Sequence, residues 1–113
     1  TNMETLVNII AEGTKIEGKL NLEQKTRIHG EIKGDVNAAP GSELIVGQTG
    51  LVEGEVHADH VWVDGFVRGK IMASKQVVIA STGRVIGEIH SPSLKIEVGG
   101  YFEGQSVMQE YQA

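Results

Sequence analysis

The sequence predicts an all-β protein built as a single parallel β-solenoid, with about six triangular coils of about 17 residues each. The first observation is a five-residue pattern, an apolar residue, a spacer, a glycine, a spacer and an apolar or small residue, that occurs six times. A period near 17 carried by alternating β-formers is typical of stacked β-coils rather than of helices. The central residues of the six copies are Gly18, Gly34, Gly54, Gly69, Gly87 and Gly104, at steps of 16, 20, 15, 18 and 17.

A second apolar repeat fixes how the coils align. It recurs at steps of 18, 18, 17, 16 and 17, at Ile10, Ile28, Val46, Val63, Ile79 and Ile96. A third column of small residues follows the glycine strand, at Ala38, Ala58, Ala73 and Ser91, with Leu22 and Met108 at the two ends. Two strands and a short third side close a triangle, and successive triangles stack about 4.8 Å apart.

Charges at the outward positions of the glycine strand support this alignment. Of ten adjacent pairs between coils, six are opposite in charge, one is like and three include an uncharged residue. Opposite charges on neighbouring strands are favourable by a few tenths of a kcal/mol. The two columns read Glu17, Lys33, Glu53, Arg68, Ile86, Glu103 and Lys19, Asp35, Glu55, Lys70, Glu88, Gln105.

Length and composition limit the functions that are open to the chain. The 113 residues are enough for one domain, with coils over residues 8–108 between short tails at 1–7 and 109–113. The net charge of −5 argues against a nucleic-acid partner, which needs a basic surface. There is no cysteine, so no disulfide framework is expected. The apolar runs are too short to span a membrane.

Three segments resemble the bactofilins, a family of bacterial polymer-forming cytoskeletal proteins. They are Ile9–Gly18, Val46–Gly54 and Leu94–Gly104, and the resemblance extends over residues 8–108. It implies a right-handed β-helix that assembles without nucleotide into non-polar filaments in the cytoplasm. It also implies a scaffold for peptidoglycan hydrolases or synthases or other envelope machinery. Two departures are Ile86, where a charge is usual, and Thr1–Thr5, which lack a recognisable membrane-targeting segment. Attachment to the inner face of the membrane therefore stays open.

The two ends of a solenoid predict where the chain contacts another copy. Interior coils satisfy their backbone groups on both sides, whereas the end coils expose unpaired groups and the cut face of the core. The tails are too short to cover these ends. Phe102 occupies an inward position of the final coil where earlier coils carry Ile or Val, and it matches the terminal phenylalanine that the family pattern associates with polymerisation. The alternative is that it only plugs its own monomer. The predicted polymerisation interface comprises Phe102, Ile10, Ile16 and Ile96.

An exposed apolar stripe is expected on the strand that carries the second repeat. Its outward column reads Ile9, Arg27, Ile45, Trp62, Val78, Lys95, so Ile45, Trp62 and Val78 form a possible lateral or partner surface. Three interpretations are open. A tail containing Leu6 and Val7 or Met108 and Tyr111 folds over the stripe, filaments or a partner contact it, or it is inert.

No catalytic, cofactor-binding or metal site is predicted. His57 and His90 fall two coils apart with Met72 between them, about 10 Å, too far for one zinc ion. The main alternative is an enzyme on a left-handed β-helix, a hexapeptide-repeat acyltransferase or a carbonic-anhydrase-like trimer. Ala58 and the short turn at Gly65 break the six-residue step that such a fold needs. A second alternative is a binding module that does not polymerise.

Overall fold

The computed structural model describes residues 7–108, and every regular element in this range is a β-strand. None of the elements in these residues is a helix that could span a membrane. The ten strands are β1 (Val7–Ile10), β2 (Lys15–Leu22), β3 (Lys25–Ile28), β4 (Glu31–Ala38), β5 (Glu43–Val46), β6 (Leu51–Val63), β7 (Phe66–Ile79), β8 (Arg84–His90), β9 (Leu94–Ile96) and β10 (Tyr101–Val107).

Every strand pairs in parallel with the equivalent strand of the next coil, which confirms the predicted solenoid of about six coils. One face, here called the glycine face, stacks β2, β4, the first halves of β6 and β7, β8 and β10. The six pattern glycines align directly along it. The other long face, here called the tryptophan face, stacks β1, β3, β5, the second halves of β6 and β7, and β9. The predicted column from Ile10 to Ile96 lies on that face in the predicted order.

The short third side joins the two faces. β6 and β7 run without interruption around this corner, where Ala58 pairs with Ala73 and the register then shifts before His60. Small residues suit this corner because the chain turns sharply there, and both alanines are buried. In the coils at either end the strands break, and single backbone hydrogen bonds such as Ser91 N to Val107 O (3.1 Å) continue the stack.

The interior is filled by aliphatic side chains in columns, one from each coil. Because inward positions of parallel strands stack directly, β-branched residues interlock along the rod. The largest fully buried side chains are Ile28, Ile32, Leu44, Ile71, Ile79 and Ile89. Among the described residues, every buried polar side-chain atom has a hydrogen-bond partner.

The outward charges follow the predicted register but form few close pairs. Of the six opposite-charge neighbours, only Lys70 and Glu55 lie within ion-pair distance, at 3.8 Å, in the described residues. The register therefore places opposite charges next to each other, but most of these long side chains stay solvated.

Candidate functional site

The N-terminal end of the rod is formed by β1 and β2. Among the strands of residues 7–108, each pairs on one side only, β1 with β3 and β2 with β4. Ile10 and Ile16 are partly buried and pack against the core from this end. Their outer sides, and the backbone groups of the two strands that face away from the rod, have no neighbouring coil within residues 7–108.

The C-terminal end is formed by β9 and β10, which in the described part of the chain pair only with β7 and β8. Phe102 lies opposite Val85, partly buried and packed against the core. Ile96 lies opposite Ile79 but is 45% exposed, since no later coil within residues 7–108 covers it. The structure thus brings Phe102 and Ile96 to one end and Ile10 and Ile16 to the other.

The final coil also carries an apolar residue that the repeat analysis missed. Val98 is 97% exposed. It is the second residue of a four-residue turn closed by the Gly100 N–H to the Glu97 carbonyl (2.8 Å). The same i to i+3 hydrogen bond closes a turn in three earlier coils, and the equivalent positions there are occupied by Glu12, Gln48 and Ser81. Comparing turn positions as well as strand positions would have found it.

An arginine lies between two aromatic rings near the same end. The Arg84 guanidinium lies 5.7 Å from the ring centre of Phe66 and 5.5 Å from that of Tyr101. The three residues are register neighbours on successive coils of the glycine face. Cation–π attraction on both sides therefore ties the final coil to the two coils beneath it.

The tryptophan face carries the predicted outward column in the predicted order, from Ile9 to Lys95. Trp62 is 36% exposed, and its indole N–H donates to Asp64 Oδ2 at 3.0 Å. Ile45 is half-buried. Val78 was expected to be exposed but is only 8% exposed; it lies between Trp62 and Lys95 in the register, so a long side chain is available on each side to shield it. The apolar surface of the stripe therefore consists of the exposed Trp62, the half-buried Ile45 and the more distant, exposed Ile9.

The tail interpretation of this stripe names two residues at each end of the chain. Leu6 and Tyr111 lie outside the described residues, while Val7 and Met108 are both exposed.

Two of the four histidines, His57 and His90, lie near carboxylates of their own strands. His57 and His90 lie in one column with Met72 between them, as predicted. His90 Nε2 lies 3.1 Å from Glu88, and His57 Nε2 lies 3.9 Å from Glu55. No group of three or more His, Cys, Asp or Glu side chains in residues 7–108 could hold a metal ion.

Comparison with known proteins gives the family of the chain. The family model that matches is that of the bactofilins, described as polymer-forming cytoskeletal, and it covers residues 8–107. The chain belongs to the bactofilin family. This bactofilin is 30% identical over 96 residues to bactofilin BacO of Myxococcus xanthus, a match that covers 85% of this chain and 75% of the relative.

Two solved structures of the Thermus thermophilus bactofilin share the fold. A cryo-EM reconstruction of its double helical filaments matches with a TM-score of 0.82 and 35% identity, over 88% of this chain and 97% of that one. A crystal structure of a phenylalanine-to-arginine mutant matches with a TM-score of 0.74 and 32% identity, over 80% and 99% of the two chains. As a member of this family, the chain is a polymer-forming cytoskeletal protein. None of these comparisons supports the enzyme alternative.

Proposed function

We propose that this bactofilin polymerises end to end, so that the β-stack of one copy continues into the next. The observation that supports the proposal is that, within residues 7–108, the strands of both end coils pair on one side only. Such strands leave a row of backbone donors and acceptors and a cut apolar face for another copy to cover. End-on contact satisfies both needs at once.

The junction is small and depends on a few residues. A triangular coil end covers on the order of 300–400 Å² per copy, so the total falls below the roughly 1,200 Å² of the smallest standard interfaces. Continuous strand pairing and a dense apolar centre must therefore supply most of the affinity. Phe102 and Ile96 at one end, with Ile10 and Ile16 at the other, provide that centre.

Phe102 is the side chain whose loss should matter most, since it is the largest of this set and lies on the terminal strand. The Phe102→Arg variant places a charge in the junction, where desolvation makes it costly. We expect folded monomers or dimers in place of filaments, measured by sedimentation and negative-stain microscopy. Glu103→Arg is the matched control, because it adds the same charge to the same strand at an exposed, outward position and should leave filaments intact. Unchanged filaments in Phe102→Arg would mean that this residue only plugs its own monomer.

The family pattern supports finer features of the assembly. The filaments have no polarity and form without nucleotide. They lie in the cytoplasm, and at the inner face of the cell membrane where a membrane anchor exists. There they organise cell-envelope or cell-shape machinery. Peptidoglycan hydrolases and synthases are the expected cargo. Assembly of purified protein with and without ATP or GTP tests the nucleotide requirement, and vesicle flotation tests membrane attachment. Discrete trimers in place of filaments would favour the enzyme alternative, and concentration-independent monomers would favour the binding module.

A further inference from the structure

The tryptophan face carries two cations with an apolar centre between them. Within the outward column, Arg27 and Lys95 flank Ile45, Trp62 and Val78, and Ile9 lies one coil beyond Arg27. In residues 7–108, neither cation lies within the 4.0 Å ion-pair distance of a carboxylate. Both side chains are exposed, so an external acidic group can reach them.

The centre of this column is held in place before any partner arrives. The bond from the indole N–H of Trp62 to Asp64 fixes the ring along the strand. One hollow beside the ring is lined by Glu43, His60 and Val78 among others. A tryptophan with a fixed orientation loses little entropy on binding, and such residues often dominate an interface.

A second copy of this chain does not fit the charge pattern. If two rods packed through this face with two-fold symmetry, central columns would face each other. Arg27 would then lie near Arg27 or Lys95 of the other copy when the columns are centred on Trp62, and like charges in a dry interface are unfavourable. The central column has no carboxylate to relieve this at any shift along the rod. The carboxylates of the face lie in flanking columns, and one of them, Asp64, is already bonded to Trp62.

The spacing of the column suits a helix better than an extended peptide. The coils are about 4.8 Å apart, while one helical turn rises 5.4 Å and same-side residues of a strand are about 6.7 Å apart. A helix lying along the rod therefore places successive turns on successive coils. From Arg27 to Lys95 is four coil steps, about 19 Å, which corresponds to about 13 residues of helix.

We propose that the tryptophan face binds an amphipathic helix of a partner protein. Its apolar residues, spaced i, i+3 or i+4, and i+7, lie over Ile45 and Trp62. An acidic residue near each end pairs with Arg27 and Lys95. End-on stacking by itself does not cover this face, so a single strand of stacked copies would present one such site on every subunit.

A peptide display library tests this proposal on the full chain. Its members are 15-residue helices with fixed apolar positions and free choice of acidic, basic or neutral residues near the ends. We expect enrichment of acidic-ended sequences. A synthetic member should change the fluorescence of Trp62, the only tryptophan, and should bind at least about tenfold more weakly to Trp62→Ala.

Charge reversal supplies a second arm that keeps the core of the face intact. Arg27→Glu with Lys95→Glu should weaken the acidic-ended peptide and strengthen its basic-ended counterpart. Arg68→Glu, an exposed arginine on the glycine face, should change neither. The proposal is overturned by absence of enrichment, by equal binding of both peptides, or by equal effects of Arg68→Glu. A last outcome points to another occupant of the face. If the peptide does not bind, while Trp62→Ala abolishes binding to phosphatidylglycerol vesicles or lateral bundling of filaments, the face binds a membrane or another filament, and the proposal is overturned.

Discussion

The carbonyl oxygen of Gly34 occupies the position where a Cβ on Gly54 would lie. Gly54 also has a φ of 142°, in the region that side-chain-bearing residues rarely adopt. The same relationship links each later glycine of the column to the one before it. The glycine column is thus required by close approach of successive backbones, and this approach sets the path of the whole glycine face.

Replacing an interior glycine should therefore destabilise the monomer strongly. Gly54→Ala combines an unfavourable φ, about 1–3 kcal/mol, with steric overlap of similar size, so we expect a loss of about 3 kcal/mol or more. Gly18→Ala is the matched control, because Gly18 has a φ of 122° but nothing within 4 Å of its Cβ position. The Gly18→Ala variant should therefore lose only the stability that the unfavourable φ costs. Urea unfolding in the Phe102→Arg background, followed by Trp62 fluorescence, measures both, and equal losses would contradict the steric argument.

Gly18→Ala should also affect assembly out of proportion to its effect on stability. A Cβ on Gly18 points away from the rod, into the space that another copy fills if the N-terminal end is stacked. We expect wild-type-like folding by circular dichroism but an increase of about tenfold or more in the critical concentration for filaments, from about 1.4 kcal/mol of lost contact energy. Gly41→Ala, with φ 84° and open space around it, lies away from both ends and should leave assembly unchanged. Normal filament formation by Gly18→Ala would show that the N-terminal glycine strand does not meet another copy closely.

The sequence contains enough periodicity to predict the register of every long strand, because each coil repeats the same inward and outward phases. The glycine column and the column from Ile10 to Ile96 are both confirmed. Exposure is harder to predict, since it depends on how long side chains lie. Val78 has the outward phase that was predicted but is shielded from both sides along its column. Likewise, alternating charges predicted which residues are neighbours but not that only Lys70 and Glu55 approach closely.

The end surfaces could be predicted only in part. Phe102, Ile10, Ile16 and Ile96 follow from the strand repeats, and their role in assembly stays a prediction. Val98 does not belong to any strand column, so a search for strand periodicity passes over it. The contacts of Arg84 with two rings could not be derived either, because the sequence gives their order on successive coils but not the direction of the arginine side chain.

Acid should destabilise the fold through Asp59. The Ser74 hydroxyl and the Gly41 N–H (2.6 Å) donate to its carboxylate and lower its pKa below the usual 3.8. Because the pKa is lower in the folded than in the unfolded chain, the stabilisation is present above about pH 4 and is lost as the pH falls through the folded value. Urea midpoints between about pH 6 and pH 2 should fall less steeply in Asp59→Asn than in the parent chain.

Asp35→Asn is the control for this titration. In the part of the chain that the structure describes, the Asp35 carboxylate forms no hydrogen bond or ion pair. Removing it should leave the acid-induced fall in stability nearly as steep as before. If both variants flattened the profile equally, the bonds from Ser74 and Gly41 would not be the cause.

Loss of the Arg84 side chain should loosen the final coil before the rest of the rod. Arg84→Met keeps an unbranched apolar stem but removes the charge that lies over Phe66 and Tyr101. With about 0.5 kcal/mol for each exposed cation–π contact, we expect a loss of about 1 kcal/mol. The loss should appear as faster hydrogen exchange of the amides in β10, with little change in β4. Arg68→Met is the matched control, because Arg68 contacts no aromatic ring by the same criterion within residues 7–108. Since β10 carries Phe102, Arg84→Met should also raise the critical concentration for assembly. The size of this increase should follow from the loss of hydrogen-exchange protection in β10. Faster exchange spread evenly over all coils would instead mean that Arg84 supports the rod as a whole.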